Sequence, residues 1–185
     1  MSMLAKATVE NLYDIAENGK AEIVNGEFVL MSPTGAKSGR AGGEIYFSLR
    51  LHEEAFAHGY AFPDNVGFVV NLSNRDSFSP DAAWYVGYVE GMDFVQGAPA
   101  FAAEVRSKND YGHQAERAIA QKIRDYFSAG TQVVWDVDLL SDIVIKKYTA
   151  SNPENPILFR RGEIADAEPA VNGWKLAVDK LFIQK

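Results

Sequence analysis

Three residues of this 185-residue chain have the types and surroundings to do chemistry on a phosphate ester: Asp81, Glu104 and Lys122. Glu104 lies in the apolar run FAAEV, residues 101–105. Side chains alternate along a strand, so Phe101, Ala103 and Val105 share one face, and Ala102, Glu104 and Arg106 the other. Apolar residues on both faces predict an internal strand. An ionised carboxylate there needs a cation or several donors, because burying a lone charge is costly. A structural ion pair with Arg106 or another base would meet the same need. On the following helix, at 100° per residue, Ala115, Ile119, Lys122 and Tyr126 fall within one narrow arc, flanked by Ala118 and Ile123. Arg117 and Arg124 fall nearly opposite. A lysine stem can run along apolar surface to reach water. The central position of Lys122 favours a buried partner instead, and the preceding strand offers Glu104. Asp81 follows Pro80 and opens the apolar run DAAWYV. Pro-Asp is also a common plain turn at the start of a strand.

Together these residue types suit phosphodiester hydrolysis. Two carboxylates from neighbouring strands can hold Mg²⁺, which takes oxygen ligands and keeps several waters. The ion lowers the pKa of a bound water and polarises a phosphoryl oxygen. A nearby lysine can orient that water and offset charge in the transition state.

The elements that must position them follow from local pattern. Thr8 can cap a helix over VENLYDIAEN that Gly19 ends. Asn25-Gly26, between two apolar runs, predicts a hairpin with a type I′ turn. SPTG breaks the chain, and a helix is expected from about Lys37 to His58, with Gly59 as its stop. Ile45, Leu49, His52 and Phe56 form its stripe, and Gly42-Gly43 weaken its first turns. YAF and VGFVV read as strands, NLSNRDSFSP as a polar loop, and PDAAWYV as a strand opening at Asp81. GYVEGMDFVQGAPA reads as a mobile loop. After the strand FAAEVRS come a helix from about Tyr111 to Ala129, the strand TQVVWDVD and its hairpin partner DIVIKKYT. Short strands follow from Ser151, around turns at Asn152-Pro153, Arg161-Gly162 and Asn172-Gly173. Trp84 and Trp135 are expected in the core; the residues around Trp174 assign it no place. The order of elements predicts an α/β domain with a mixed sheet.

Length predicts one domain over residues 1–185. A hydrophobic content of 47% and a charged content of 23% fit a globular protein. With no cysteine, disulfides and thiolate metal sites are excluded. The histidines His52, His58 and His113 are scattered, against a histidine-rich zinc site. No run approaches a membrane span of roughly 18 apolar residues, and the N-terminus lacks a signal-peptide core; a cytoplasmic protein is expected. The net charge of −7 argues against a broad nucleic-acid-binding surface. Residues 104–125 are nearly balanced in charge, which leaves room for a local patch that takes an anionic substrate.

Ordered along the chain, EIVNGEFVLMSPTG, PDAAW, FAAEVRS and QKIRDYFSAGTQVVWDVD resemble the Uma2 (DUF820) family of restriction-endonuclease-like proteins, over roughly Ile23 to Tyr148. The resemblance implies the PD-(D/E)XK nuclease-like fold, a central mixed sheet with an αβββαβ core. It implies Asp81 as the acid of the PD element and Glu104 as that of the (D/E)XK element, holding Mg²⁺ or Mn²⁺ together with the Val105 backbone carbonyl. The motif lysine would fall at position 106, where this chain has Arg106, and Lys122 on the helix supplies that charge instead. Arginine holds its proton and cannot act as a base. Glu27, Glu44 and Arg106 are the implied accessory residues. Relatives often carry a histidine before the first core helix, where this chain has Ser38. Gln121 lies 100° from Lys122 and is expected to face away from the pocket, and His113 to be a solvated turn residue. The implied activity is endonucleolytic cleavage of nucleic acid, DNA foremost, by a homodimer with no membrane partner. Two rival readings accompany it: a non-catalytic member of the fold that binds nucleic acid or protein, motivated by Arg106 and the acidic charge, and a hydrolase of small phosphoesters.

Overall fold

The structure is a computed structural model, and it describes residues 7–13, 19–56 and 58–183. The chain runs through α1 (Val9–Tyr13), β1 (Ala21–Val24), β2 (Glu27–Leu30), α2 (Ala36–Phe56), β3 (Tyr60–Pro63) and β4 (Phe68–Val69). It continues with β5 (Ser77–Phe78), β6 (Ala82–Tyr85), β7 (Val95–Gln96), β8 (Phe101–Val105), α3 (His113–Ser128) and β9 (Val133–Val137). Last come β10 (Ile145–Thr149), β11 (Asn152–Phe159), β12 (Ile164–Asp166), β13 (Lys175–Ala177) and a 3₁₀ turn, Val178–Leu181.

Six strands form the central sheet, in the order β11-β10-β9-β8-β6-β3. β8 and β9 are parallel, joined by the α3 crossover, and the other neighbours are antiparallel. The succession α2, β3, β6, β8, α3, β9 is the αβββαβ core of a restriction-endonuclease-like fold. The alternation of β8 sorts its side chains into two cores, one on each face of the sheet. Phe101, Ala103 and Val105 pack with Ala41, Ile45 and Leu49 of α2 and with Trp174 and Leu181 near the C-terminus. Ala102 packs on the other face with Phe68, Phe78, Ile123 and Tyr126.

The hairpin β1/β2 turns at Asn25 and Gly26 with φ of 53° and 74°, the left-handed pair that a type I′ turn needs. In α2, a side-chain carbon on Gly42 would lie 3.3 Å from the Asp81 Cβ and 3.4 Å from its carbonyl oxygen. Glycine at 42 therefore sets how closely this helix approaches Asp81, whereas Gly43 faces open space. Ser38 ties the first turn of α2 to the end of β8, its hydroxyl donating to the Arg106 carbonyl at 2.9 Å.

Several stretches depart from local expectation. The polar run NLSNRDSFSP contains β5, and its Phe78 is fully buried, stacked on Tyr126 with ring centroids 3.9 Å apart. The expected loop GYVEGMDFVQGAPA contains β7, which pairs in parallel with β4. Both strands are two residues long, too short for any period to register, and partners distant in the chain create them. Asn152 and Pro153 lie inside β11, and the chain reverses one step earlier, at Ala150 and Ser151. The first helix is described only as far as Tyr13; its expected continuation over 14–18 lies outside the described residues. Trp174 is buried, its indole N–H donating to the Ser48 hydroxyl at 3.0 Å.

Candidate active site

The site forms where the end of β8 meets the start of β6, under α3. Asp81 immediately precedes β6. Its N–H donates to the Ala103 carbonyl at 3.0 Å, and its Oδ2 accepts the Val105 N–H at 2.7 Å. Two bonds to one strand leave this carboxylate little freedom. Glu104, on the same strand and the opposite face from Val105, points toward α3. Its carboxylate oxygens both lie 2.9 Å from Lys122 Nζ, and Oε1 accepts the Tyr126 hydroxyl at 2.6 Å. Lys122 and Tyr126 stand one helical turn apart, so a single face of α3 grips Glu104 twice.

The hairpin brings a third carboxylate. Glu22, on β1, is 3% exposed and lies 2.8 Å from Lys122 Nζ through its Oε1. The same oxygen accepts the Ser79 N–H at 2.9 Å, while Oε2 meets Arg75 at 2.6 Å. Arg75 is itself buried and reaches on to Asp125 of α3 at 3.0 Å. Asn74 and Gln121 complete Asp125 at 2.9 and 2.7 Å. Lys20, just before β1, lies 3.2 Å from Asp81 Oδ1 and 2.6 Å from Asp64 Oδ1. Asp81, Glu104 and Glu22 thus gather opposite Lys20, Lys122 and Arg75.

The ionisation of this cluster follows from its crowding. Burial, and then the neighbouring carboxylates of Asp81 and Glu22, hold the Glu104 carboxyl above its usual range despite Lys122 and Lys20. Burial works against the charge of Glu22 too, but Lys122 and Arg75 outweigh it and hold that carboxyl low. Burial also opposes the Lys122 charge, and the two glutamates overcome it, so its ammonium keeps the proton well above the ordinary lysine range. The Tyr126 hydroxyl is pushed up by burial and by Glu104, and so remains a donor.

The remaining sequence-derived positions fall as follows. Arg106 grips Asp136 on β9 with two bonds of 2.7 Å and also reaches Glu116 on α3. It clamps helix to sheet, and the partners of Glu104 come from α3 instead. Glu27 is exposed at the start of β2, so the hairpin carboxylate that enters the cluster is Glu22. Glu44 is half-buried on α2, 3.9 Å from Arg40. Gln121 joins the outer ring through Asp125, and His113 is exposed at the start of α3. Glu22, Lys20, Arg75 and Asp125 went unremarked in the local reading. The one signal for Glu22 is a carboxylate inside the apolar alternation of AEIV, beside Ile23.

The donor chemistry can be set against a divalent ion. Asp81 and Glu104 are hard oxygen donors, the type of ligand that a divalent cation such as Mg²⁺ takes. Among the described residues, no three or more His, Cys, Asp or Glu side chains are grouped closely enough to hold a metal by themselves. Mg²⁺ fits such a sparse set, since it is commonly bound by one or two carboxylates with waters and substrate oxygens completing the shell.

The mixed αβββαβ sheet, with Asp81 and Glu104 at its β6/β8 junction and Lys122 reaching in from α3, is a restriction-endonuclease-like fold. The chain belongs to the Uma2 family, described as "Putative restriction endonuclease", whose model matches residues 8–179. Among solved structures it is similar to a "putative nuclease belonging to DUF820" from Anabaena variabilis ATCC 29413. That likeness has a TM-score of 0.73 at 16% identity, over 95% of this chain and 97% of the other, and it supports the fold. No curated protein matches the chain. Among the described residues, no helix is long and apolar enough to cross a membrane.

Proposed function

We propose that this protein is a Mg²⁺- or Mn²⁺-dependent endonuclease that hydrolyses phosphodiester bonds of nucleic acid, with DNA as the first substrate to test. The observation that carries the reading is the contact of Lys122 with Glu104 beside the strapped carboxylate of Asp81. Asp81, Glu104 and the Val105 carbonyl are the residues that would hold the ion. When bound, the ion would acidify the attacking water and polarise the phosphoryl oxygen. Lys122 remains an ammonium, so its role is to donate a hydrogen bond that orients the water and to offset developing charge, rather than to take the proton. Tyr126 fixes the Glu104 carboxylate by donating to Oε1, and Glu22 fixes the ammonium of Lys122. Action as a homodimer in the cytoplasm belongs to the same proposal.

The test is cleavage of plasmid DNA, single-stranded DNA, RNA and a generic phosphodiester with Mg²⁺ or Mn²⁺. Wild type should cut a nucleic acid, and EDTA or Glu104→Ala should abolish the cut. Activity that survives both removes the assignment. Turnover of the small ester alone would make the protein a small-phosphoester hydrolase.

A further inference from the structure

The mechanism above leaves Lys20 without a task. Its side chain is 13% exposed and sits between two carboxylates, at 3.2 Å from Asp81 Oδ1 and 2.6 Å from Asp64 Oδ1. Asp81 Oδ2 accepts the Val105 N–H, which leaves Oδ1 the oxygen with more acceptor capacity for a cation. That is the oxygen Lys20 faces. An ammonium and a divalent ion placed on that one oxygen repel each other, so each weakens the hold of the other. Asp64 is different: it is 44% exposed, on the far side of Lys20, and already holds the closer contact.

Resting on the reading of Asp81 as a metal ligand, we infer that Lys20 is an internal competitor for the divalent cation: its ammonium neutralises Asp81 and yields that carboxylate by moving wholly onto Asp64. Lys20 is thus a positioning residue that tunes metal affinity. In its displaced place it leaves a positive charge at the margin of the site, where a substrate phosphate would meet it. The two anchors of Lys20 have opposite effects on metal binding. Removing the ammonium frees Asp81. Removing the charge of Asp64 leaves the ammonium with Asp81 as its better partner. A lysine serving only to hold β1 to the β3 end would produce no such opposition.

The test is calorimetric titration of Mn²⁺ into the full chain, with no substrate present, using wild type, Lys20→Met, Asp64→Asn and Asp81→Asn. Lys20→Met should bind Mn²⁺ about tenfold more tightly than wild type, and Asp64→Asn about threefold more weakly. Asp81→Asn should lose the signal. Unchanged or weaker binding in Lys20→Met, with a signal that Asp81→Asn still removes, overturns the competitor role and leaves the metal reading standing. No Mn²⁺ signal in any of the four proteins overturns both. If Lys20→Met does not fold, the exposed position 64 decides: unchanged or tighter binding in Asp64→Asn overturns the inference.

Discussion

Lys122 Nζ lies 2.9 Å from both carboxylate oxygens of Glu104, bridging from the middle of α3 to the end of β8. The pair is part of a larger cluster, because Glu22 holds the same ammonium at 2.8 Å. The two glutamates that share Lys122 are nevertheless in opposite electrostatic positions. Glu104 ionises less readily than an ordinary glutamate and Glu22 more readily. That contrast makes their substitutions separable.

Glu104→Gln should abolish cleavage and raise stability at neutral pH. A folded-state carboxyl with a raised pKa contributes stability that is fully present below the ordinary glutamate range and is lost as pH rises through the raised value. Glutamine mimics the protonated form and escapes that loss. The melting temperature of Glu104→Gln should equal that of wild type near pH 4 and exceed it by about 2–4 °C at pH 7.5 or above. A variant that melts below wild type at neutral pH would show that the Glu104 carboxyl is not held above the ordinary glutamate range.

Glu22→Gln should do the reverse. A lowered carboxyl pKa contributes stability above the ordinary range, and the contribution is lost as pH falls through the lowered value. Breaking this buried pair leaves Arg75 facing only Asp125, a loss of about 3–5 kcal/mol at pH 7. Urea unfolding from pH 7 to pH 3 should show the gap between variant and wild type narrowing. A gap that widens toward acid would contradict the arrangement.

Arg106→Lys places the lysine of the (D/E)XK pattern at its usual position. It should neither raise activity nor replace Lys122, because the side chain at 106 is engaged with Asp136 and Glu116. A lysine cannot reproduce the two-bond grip on Asp136, so stability should fall by about 1–3 kcal/mol. Recovery of cleavage in the double variant Arg106→Lys, Lys122→Met would show instead that position 106 reaches the site.

Gly42→Ala and Gly43→Ala are adjacent changes with different outcomes. Gly43 faces open space, and alanine there should stabilise α2 by about 0.5–1 kcal/mol with cleavage unchanged. At Gly42 the added carbon presses on Asp81 at 3.3 Å. The gain in helix propensity should be offset, and cleavage and Mn²⁺ affinity should drop. Chemical denaturation and cleavage rates on the pair distinguish a helix effect from a site effect.

Much of this was legible in the sequence because it rests on period. Alternation along FAAEV put Glu104 on the face opposite Phe101, Ala103 and Val105. The 100° step of α3 put Lys122 and Tyr126 on one arc. A strand and the helix after it are joined by a short loop, so those two faces meet. The Asn25-Gly26 turn was legible for a similar local reason: few residues other than glycine and asparagine accept positive φ.

What only the tertiary structure decided is which distant charges close the cluster. Glu22 and Arg75 are 53 positions apart, Arg75 and Asp125 are 50, and Lys20 and Asp81 are 61. No period connects such positions. Arg75 lies in a run that reads as a polar loop, and it is buried because β5 folds Phe78 under Tyr126 and carries the arginine inward. Glu27 and Glu22 sit on paired strands of one hairpin, and the packing of β1 against β5 decided which of them faces Lys122. The sequence determined the faces that carry Glu104 and Lys122 and the strand that Asp81 opens. Burial of non-local partners, which depends on the assembled sheet and its two cores, determined their neighbours and hence their charge states.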